Sequence, residues 1–151
     1  MKKLLVLFVL ILPLLFLFNV QAQQWSAEQK EVWKSVETYN DLSSTRDEGF
    51  INYFDDSYHG WEYDSDAPEN KESVKKFISH RDPNVKILFY TLVPATIWVN
   101  GNFAYVHYYY TMLMEDKDGK RQGEKGRWTD ILMKKDSKWI MVGDHGGKTS
   151  K

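Results

Sequence analysis

The apolar residues near the start of the chain recur at helical spacing. They occupy one side of a stretch whose other side is charged, and they are Val32, Trp33, Val36 and Tyr39. Ser26 followed by Gln29 has the pattern of a capping box, in which two side chains bond to the first free amides of a helix. The pattern predicts a helix from about Ala27 to Leu42.

Two shorter segments also have helical spacing. A second helix is predicted from about Thr45 to Phe54, and a third from about Lys71 to His80. Between them, alternation and aromatic residues predict a strand from Ser57 to Tyr63. The acidic, proline-containing stretch from Asp64 to Asn70 is predicted to be a loop.

The remainder of the chain alternates with the two-residue period of strands. Segments from Lys86 to Leu92 and from Thr96 to Val99 predict two strands, and three longer aromatic-rich segments follow them. The longer segments are Phe103–Met112, Gly126–Met133 and Lys138–His145. Turn-forming residues at 100–102, 116–120 and 135–137 separate neighbouring strands. Helices first and strands last predict an α+β fold, with the helices packed on one face of an antiparallel sheet.

The first 22 residues have the layout of a secretory signal peptide. Lys2 and Lys3 precede an apolar run from Leu4 to Phe18, and small residues follow the run. The run holds about fifteen residues, fewer than the roughly twenty that span a bilayer, and Pro13 interrupts it. We therefore expect cleavage after Ala22 and export to the periplasm or to the medium. An uncleaved membrane anchor is the alternative.

The composition of the mature chain restricts its partners. A single domain is predicted over residues 23–147, a size that closes one core, followed by a disordered tail at 148–151. Without Lys2 and Lys3 the chain carries 18 basic and 21 acidic residues, a net charge of −3. This balance offers no basic field for nucleic acid or for an anionic membrane surface, so neither is an expected partner. The chain has no cysteine, which excludes disulfides and zinc sites built from thiolates.

Several short motifs keep their order along nearly all of the mature chain. After the first helix they are Arg46-Asp47 with Phe50, Tyr53-Phe54, Ser57–Trp61, Trp98–Val106, Gly126–Lys134 and Lys138–His145. Together they resemble the nuclear transport factor 2-like (NTF2-like) superfamily, in particular its SnoaL-like and ketosteroid-isomerase-like branches. The resemblance implies a cone-shaped curved antiparallel sheet closed by three N-terminal helices, an α+β roll with a pocket inside. It also implies a homodimer through the outer sheet face, as in many relatives.

The resemblance does not choose a function, because the superfamily includes isomerases, dehydratases and cyclases as well as binding and assembly domains. Ionisable side chains in the predicted strands supply candidates for catalysis. His107, which lies among tyrosines, His145, which ends the last strand, and Asp130, which invites comparison with the aspartate base of ketosteroid isomerases, are candidate catalytic residues. The alternative is a core or interface role for His107, a surface position for His145, and pairing with a lysine or capping of a turn for Asp130. A slip of one residue in strand register would exchange the two faces of the sheet.

Arg127 is the candidate anchor for a ligand. Its planar guanidinium in mid-strand would hold a carboxylate or a developing oxyanion. The alternatives are an exposed strand residue or a structural ion pair with one of three acids, Asp130, Glu124 or Asp144. The other candidate ligand-binding residues belong to aromatic segments that are expected to curve around the pocket. They are His59, Trp61, Tyr63, Tyr109 and Thr129.

These features support two hypotheses for function. The first is an exported domain that binds a small apolar or carboxylate-bearing molecule in an aromatic-lined conical pocket. The second is an isomerase, dehydratase or cyclase in which a histidine or aspartate is the general base and Arg127 stabilises an oxyanion. A pocket filled by its own side chains would leave only an assembly module. No cofactor and no metal site is predicted, because the four histidines are spread over separate elements and no phosphate-binding glycine loop is present.

Overall fold

A computed structural model describes residues 23–80 and 83–149 of the chain. The elements in order are helix α1 (Ala27–Thr45), a 3-10 helix (Glu48–Tyr53), strands β1 (Phe54–Glu62) and β2 (Glu69–Asn70), helix α2 (Lys71–His80), and strands β3 (Lys86–Asn100), β4 (Phe103–Glu115), β5 (Arg121–Lys135) and β6 (Lys138–Lys148). The predicted signal peptide lies outside the described residues. None of the helices among the described residues is long and apolar enough to cross a membrane.

The first helix begins at the predicted capping box. The Ser26 hydroxyl accepts a hydrogen bond from the Gln29 amide at 3.2 Å, and the Gln29 side chain accepts one from the Ser26 amide at 2.8 Å. The helix ends at Arg46, whose backbone is left-handed with φ 61°. Its core-facing residues are Val32, Val36 and Tyr39, all of them buried. The predicted helix is confirmed, and it extends three residues beyond Leu42.

The second helical segment differs from the prediction. Residues Glu48–Tyr53 form a 3-10 helix, not an α-helix from Thr45 to Phe54. The cause is local: the left-handed Arg46 ends α1, and the Asp47 side chain then caps Gly49 at 2.7 Å. Only six residues remain before the chain becomes extended, too few for a stable α-helix. The described residues therefore contain two α-helices and one 3-10 helix.

The six strands form one curved open sheet in the order β2-β1-β6-β5-β4-β3. Every neighbouring pair is antiparallel except β1 and β6, which run parallel from the pair Phe54↔Met141 to the pair Glu62↔Gly146. The expectation of a wholly antiparallel sheet is therefore wrong at this one ladder. A parallel pair needs a long connection, and here the connection contains most of the domain.

The strand that precedes the first long hairpin is one element and not two. The predicted strands Lys86–Leu92 and Thr96–Val99 are parts of β3, whose register shifts between Pro94 and Thr96. Proline cannot donate to the ladder, so pairing with β4 is irregular there without ending. The hairpin that follows turns at Gly101, whose φ of 58° suits glycine.

Alternation along each strand separates an inner face, covered by α1, from an outer face. On β4 the inner residues Ala104, Val106 and Tyr108 are buried and pack in the core with α1. The outer residues of the same strand alternate with them and include His107 and Tyr109, both exposed. The cavity described below opens within the inner face.

The C-terminal end of the sheet is longer than predicted. Strand β6 continues through Lys148, and the Thr149 amide donates to the Lys125 carbonyl oxygen at 3.1 Å. The predicted disordered tail at 148–151 therefore begins too early, because the backbone of these two residues is hydrogen-bonded beside β5. Residues 150–151 lie outside the described part of the chain.

Candidate functional site

A cavity of about 480 Å³ lies between the inner face of the sheet and the three helical segments. Aromatic side chains from β1, β4 and β5 form its sheet wall, namely Tyr58, Tyr108, Tyr110 and Trp128. Tyr39 of α1 and Phe50 of the 3-10 helix lie across from them. The space is therefore lined largely by rings, with polar groups at particular points.

Glycines on the inner face make room for these rings. A Cβ atom added at Gly126 would lie 2.3 Å from the Gly147 carbonyl oxygen and 2.6 Å from the ring of Tyr110. One added at Gly146 would lie 2.5 Å from the Arg127 carbonyl oxygen and 2.6 Å from the ring of Trp128. Such distances are shorter than a van der Waals contact, so each ring rests against backbone that only glycine leaves bare. The glycines thus allow large side chains to lie along the sheet and leave the centre of the cavity open.

The floor of the cavity is a buried hydrogen-bond network. Asp130 is 0 % exposed, and the Tyr39 hydroxyl donates to its Oδ2 atom in a short hydrogen bond. The hydroxyls of Tyr39 and Tyr108 are 3.0 Å apart, and the Tyr108 oxygen is 3.5 Å from Asp130 Oδ1. Burial raises the pKa of Asp130 well above its ordinary value, and the two tyrosine hydroxyls offset this only in part.

A second acidic group follows on the next strand. Asp144 of β6 is the register partner of Asp130 of β5, so both carboxyls point to the inner face. Burial raises the pKa of Asp144, while the facing Tyr58 hydroxyl and Trp128 indole lower it to a smaller extent. The wall of the cavity therefore has a carboxyl that rings surround and that two polar donors orient.

The mouth of the cavity is also acidic. Burial raises the pKa of Glu62 to about 7, and the negative charges of Glu69, Asp64 and Asp144 add to that rise. Glu124 lines the same space and accepts a hydrogen bond from the Tyr110 hydroxyl at 2.7 Å. These groups can accept protons or attract a cation.

Eight of the nine predicted site residues lie on the other side of the sheet. None of the eight lines the cavity, and they are His59, Trp61, Tyr63, His107, Tyr109, Arg127, Thr129 and His145. The register explains this, since His107 pairs with Thr129, and Thr129 with His145, whereas their chain neighbours point inward. The expectation that these residues line the pocket is wrong, because the faces are exchanged relative to it.

On the outer face these residues contact one another. Arg127 Nε donates to the Tyr63 hydroxyl at 2.9 Å, and the guanidinium carbon lies 5.7 Å from the centre of the Tyr63 ring. The edge of the His145 ring faces the same tyrosine, and His145 Nδ1 is 2.7 Å from the Trp61 carbonyl oxygen. His107 Nδ1 is 2.8 Å from Thr129 Oγ1. Arg127 thus interacts with a tyrosine. It does not line the cavity, and it is not paired with any of the three acids predicted as its alternative partners.

Asp130 is the predicted residue that points to the inner face; it does not itself line the cavity but bonds to Tyr39 and Tyr108, which do. The residues around it were missed, although a signal for them exists in the sequence. Gly126, Trp128 and Asp130 share one strand face, and a glycine beside bulky rings indicates the side on which those rings must fit. The same parity identifies Tyr108 and Tyr110 on β4 as inward residues. Among the described residues, no group of three or more histidine or carboxylate side chains is placed to hold a metal ion.

The architecture has counterparts among solved structures. A ketosteroid isomerase-like protein from Erwinia carotovora atroseptica superposes with a TM-score of 0.70 at 12% identity, over 84% of this chain and 100% of that chain. The association domain of C. elegans CaMKII superposes with a TM-score of 0.64 at 19% identity, over 80% and 95%. An NTF2-like protein of unknown function in nutrient uptake from Rhodospirillum rubrum does so with a TM-score of 0.65 at 15% identity, over 79% and 98%.

These likenesses establish the NTF2-like fold. No curated protein sequence matches the chain. A family model for the calcium/calmodulin dependent protein kinase II association domain matches residues 28–150, which is most of the chain. The chain therefore belongs to the calcium/calmodulin dependent protein kinase II association domain family, within the NTF2-like fold superfamily.

Proposed function

We propose that this protein is exported and binds a small molecule with an apolar body in the inner cavity. The observation that carries the proposal is the open space of about 480 Å³ beside Tyr58, Tyr108, Tyr110 and Trp128. Ligand cavities in proteins commonly have volumes of roughly 300–1,000 Å³ and have apolar walls with a few polar groups. Export is proposed on the layout of residues 1–22 alone.

The chemistry of the walls supplies the driving force for binding. A ligand that buries about 200 Å² of apolar surface gains roughly 5 kcal/mol from the hydrophobic effect. Loss of translational and rotational freedom removes a share of this gain. Affinity above that level must come from the polar groups at the floor and the mouth.

The cavity does not favour a ligand that carries a carboxylate. The expected anchor for a carboxylate, Arg127, lies on the outer face with Tyr63. The ionisable groups that line the cavity are mostly acidic, as at Glu62, Glu124 and Asp144, and they would repel a carboxylate. A ligand with an apolar body still fits the aromatic walls of the cavity.

A pair of matched substitutions tests the proposal. Met112 lines the cavity, while its neighbour Thr111 is exposed on the outer face of the same strand. We expect Met112→Trp to fill the cavity and to weaken binding of 1-naphthalenemethanol by at least about tenfold, as blocking most of the contact area would. Thr111→Trp should leave affinity unchanged. Equal binding by both variants, measured by calorimetry, would contradict the cavity as the site.

A second candidate function is proton transfer on the bound molecule. The observation in its favour is that Glu62, with a pKa of about 7, lines the cavity. A base that titrates near neutral pH can remove a proton from a bound molecule. In this version Glu62 replaces His107 and His145 as the base.

Deuterium exchange tests this second candidate. Small molecules that co-purify with the mature protein would be incubated with it in D₂O, and their deuterium content would then be measured by mass spectrometry. Proton transfer predicts deuterium in the ligand with the native protein and much less with Glu62→Gln. Equal incorporation with both proteins, or none with either, would leave binding as the function.

We also propose that the outer face mediates self-association, as the homodimer expectation implies. Large apolar side chains are exposed there, including Tyr109 at 58%, Trp98 at 40% and Phe103 at 40%. The match to an association domain family is compatible with this proposal. Light scattering should give an oligomer for the native protein and a smaller species for Tyr109→Lys. A native protein that is monomeric at high concentration would contradict it.

A further inference from the structure

We propose that the ligand of the inner cavity is an organic cation, an apolar body that carries a protonated amine. This inference rests on the proposed binding function and gives the ligand its charge. The cavity itself is the site, and the chemistry of its lining determines which charge it accepts. Both charged and aromatic groups in the lining favour a cation.

Carboxylates outnumber basic groups around the space. The acids that line it come from four places in the chain, and they are Glu62, Asp64, Glu69, Glu124 and Asp144. Among the described residues, Lys148 is the basic side chain that lines the cavity, and none of the salt bridges there involves any of the five acids. Among the described residues that line the cavity, five carboxyl groups therefore accompany one lysine, which is an excess of negative charge.

The rings beside these acids add a second attraction for a cation. Tyr58 and Trp128 face Asp144, and Tyr110 donates to Glu124. The face of an aromatic ring is negative, and a desolvated cation over it gains attraction in addition to that from a carboxylate. An ammonium group between rings and carboxylates would thus be held from two sides, while the rest of the ligand contacts apolar surface.

The elements around Glu62 carry mostly acidic and apolar side chains, which favour a cationic ligand. Glu69 of β2, Glu124 of β5 and Asp144 of β6 are acidic, and Asp64 follows β1. Helix α2 contributes apolar residues, among them Val74 and Phe77, and Lys148 is the opposing charge from β6. A bound ammonium would relieve the repulsion among the carboxylates and favour their charged forms.

This coupling predicts a proton change on binding. The neighbouring acids and burial hold the pKa of Glu62 at about 7, so a fraction of the protein carries a proton there at neutral pH. A cation binds the deprotonated form better, lowers this pKa and releases the proton. Affinity for a cation should therefore rise with pH through about 7, whereas affinity for a neutral ligand should change little.

Three probes with the same two-ring body separate charge from shape. They are 1-naphthalenemethylamine, 1-naphthalenemethanol and 1-naphthoate, and each would be titrated into the mature protein by calorimetry. At about pH 8 we expect the amine to bind at least about tenfold more tightly than the alcohol, and the carboxylate to bind more weakly than either. Titration in buffers of different ionisation enthalpy should detect proton release with the amine alone.

Matched variants then assign the charge effect to the cavity. Glu62→Gln should lower affinity for the amine by about five- to tenfold, flatten its pH dependence, and leave affinity for the alcohol within about twofold. Glu28→Gln, which alters an exposed acid in the first turn of α1, should change neither affinity.

The outcomes distinguish this inference from the proposed function. If the alcohol binds and the amine binds no more tightly, the cation inference is overturned and the cavity remains a binding site. An effect of Glu62→Gln that is the same for amine and alcohol also overturns it. If none of the three probes binds, the proposed function fails with it.

Discussion

Replacing Tyr39 by phenylalanine removes one hydroxyl from the buried network at the floor of the cavity. That hydroxyl donates to Asp130 and lies 3.0 Å from the Tyr108 hydroxyl. Asp130 is 0 % exposed, so its carboxyl would lose a donor at a buried position. Leaving a buried acceptor without its partner costs about 1–3 kcal/mol. We expect Tyr39→Phe to lower the free energy of unfolding by that amount.

Urea denaturation followed by tryptophan fluorescence measures this change. Tyr109→Phe is the matched control, because its side chain is 58% exposed on the outer face. The control should alter the free energy of unfolding by less than about 0.5 kcal/mol. A double-mutant cycle with Asp130→Asn should show coupling of roughly 1 kcal/mol between the two positions. If Tyr39→Phe costs no more than Tyr109→Phe, the network does not stabilise the floor as described.

Three further predictions concern the same architecture. Because the folded-state pKa of Glu62 is raised from 4.5 to about 7, its contribution to stability is full below 4.5 and is lost as pH rises through about 7. Urea midpoints should fall over that range, and less steeply for Glu62→Gln. Gly126→Ala should lower the free energy of unfolding by about 1–3 kcal/mol through overpacking against the Gly147 carbonyl oxygen and the Tyr110 ring. Gly123→Ala, which has nothing within 4 Å of the new Cβ, should be nearly neutral in thermal denaturation. Arg127→Ala should change stability by less than about 1 kcal/mol and leave ligand affinity unchanged, because it loses an exposed contact with Tyr63.

Each of these predictions has a contradicting result. The same change of urea midpoint between about pH 5 and pH 7 in the native protein and in Glu62→Gln would contradict the raised pKa of Glu62. Equal costs at Gly126 and Gly123 would show that Gly126 is not closely packed by its neighbours. A selective loss of ligand binding in Arg127→Ala would return the site to the outer face.

Local signals in the sequence identified most of the helical structure. The capping box at Ser26 and the spacing of Val32, Val36 and Tyr39 depend only on neighbouring residues, so α1 was predicted with its correct start. Helix α2 was predicted with both of its ends. The 3-10 helix was not predicted, because its form depends on the left-handed backbone at Arg46 and on the small number of residues before β1.

The face of each strand could not be predicted in the same way. Alternation separates Arg127 from Trp128 and Asp130, but it does not say which set points to the helices. That choice depends on pairing among β4, β5 and β6, which are distant from α1 in the chain. The predicted pocket set contains polar and aromatic residues of the outer face, whereas the structure places other rings and acids in the lining of the cavity. Gly126 and Gly146 carried the missing information, since rings rest on both of them.

Indole signals in a nuclear magnetic resonance titration test the central claim most directly. Trp128 lines the inner cavity, while Trp61 and Trp98 are exposed at 49% and 40% on the outer face. Adding 1-naphthalenemethanol to a protein of residues 23–151 should shift the indole N–H signal of Trp128 in a saturable manner and leave those of Trp61 and Trp98 in place. Saturable shifts at Trp61 and Trp98 with an unmoved Trp128 would contradict the inner cavity as the ligand site.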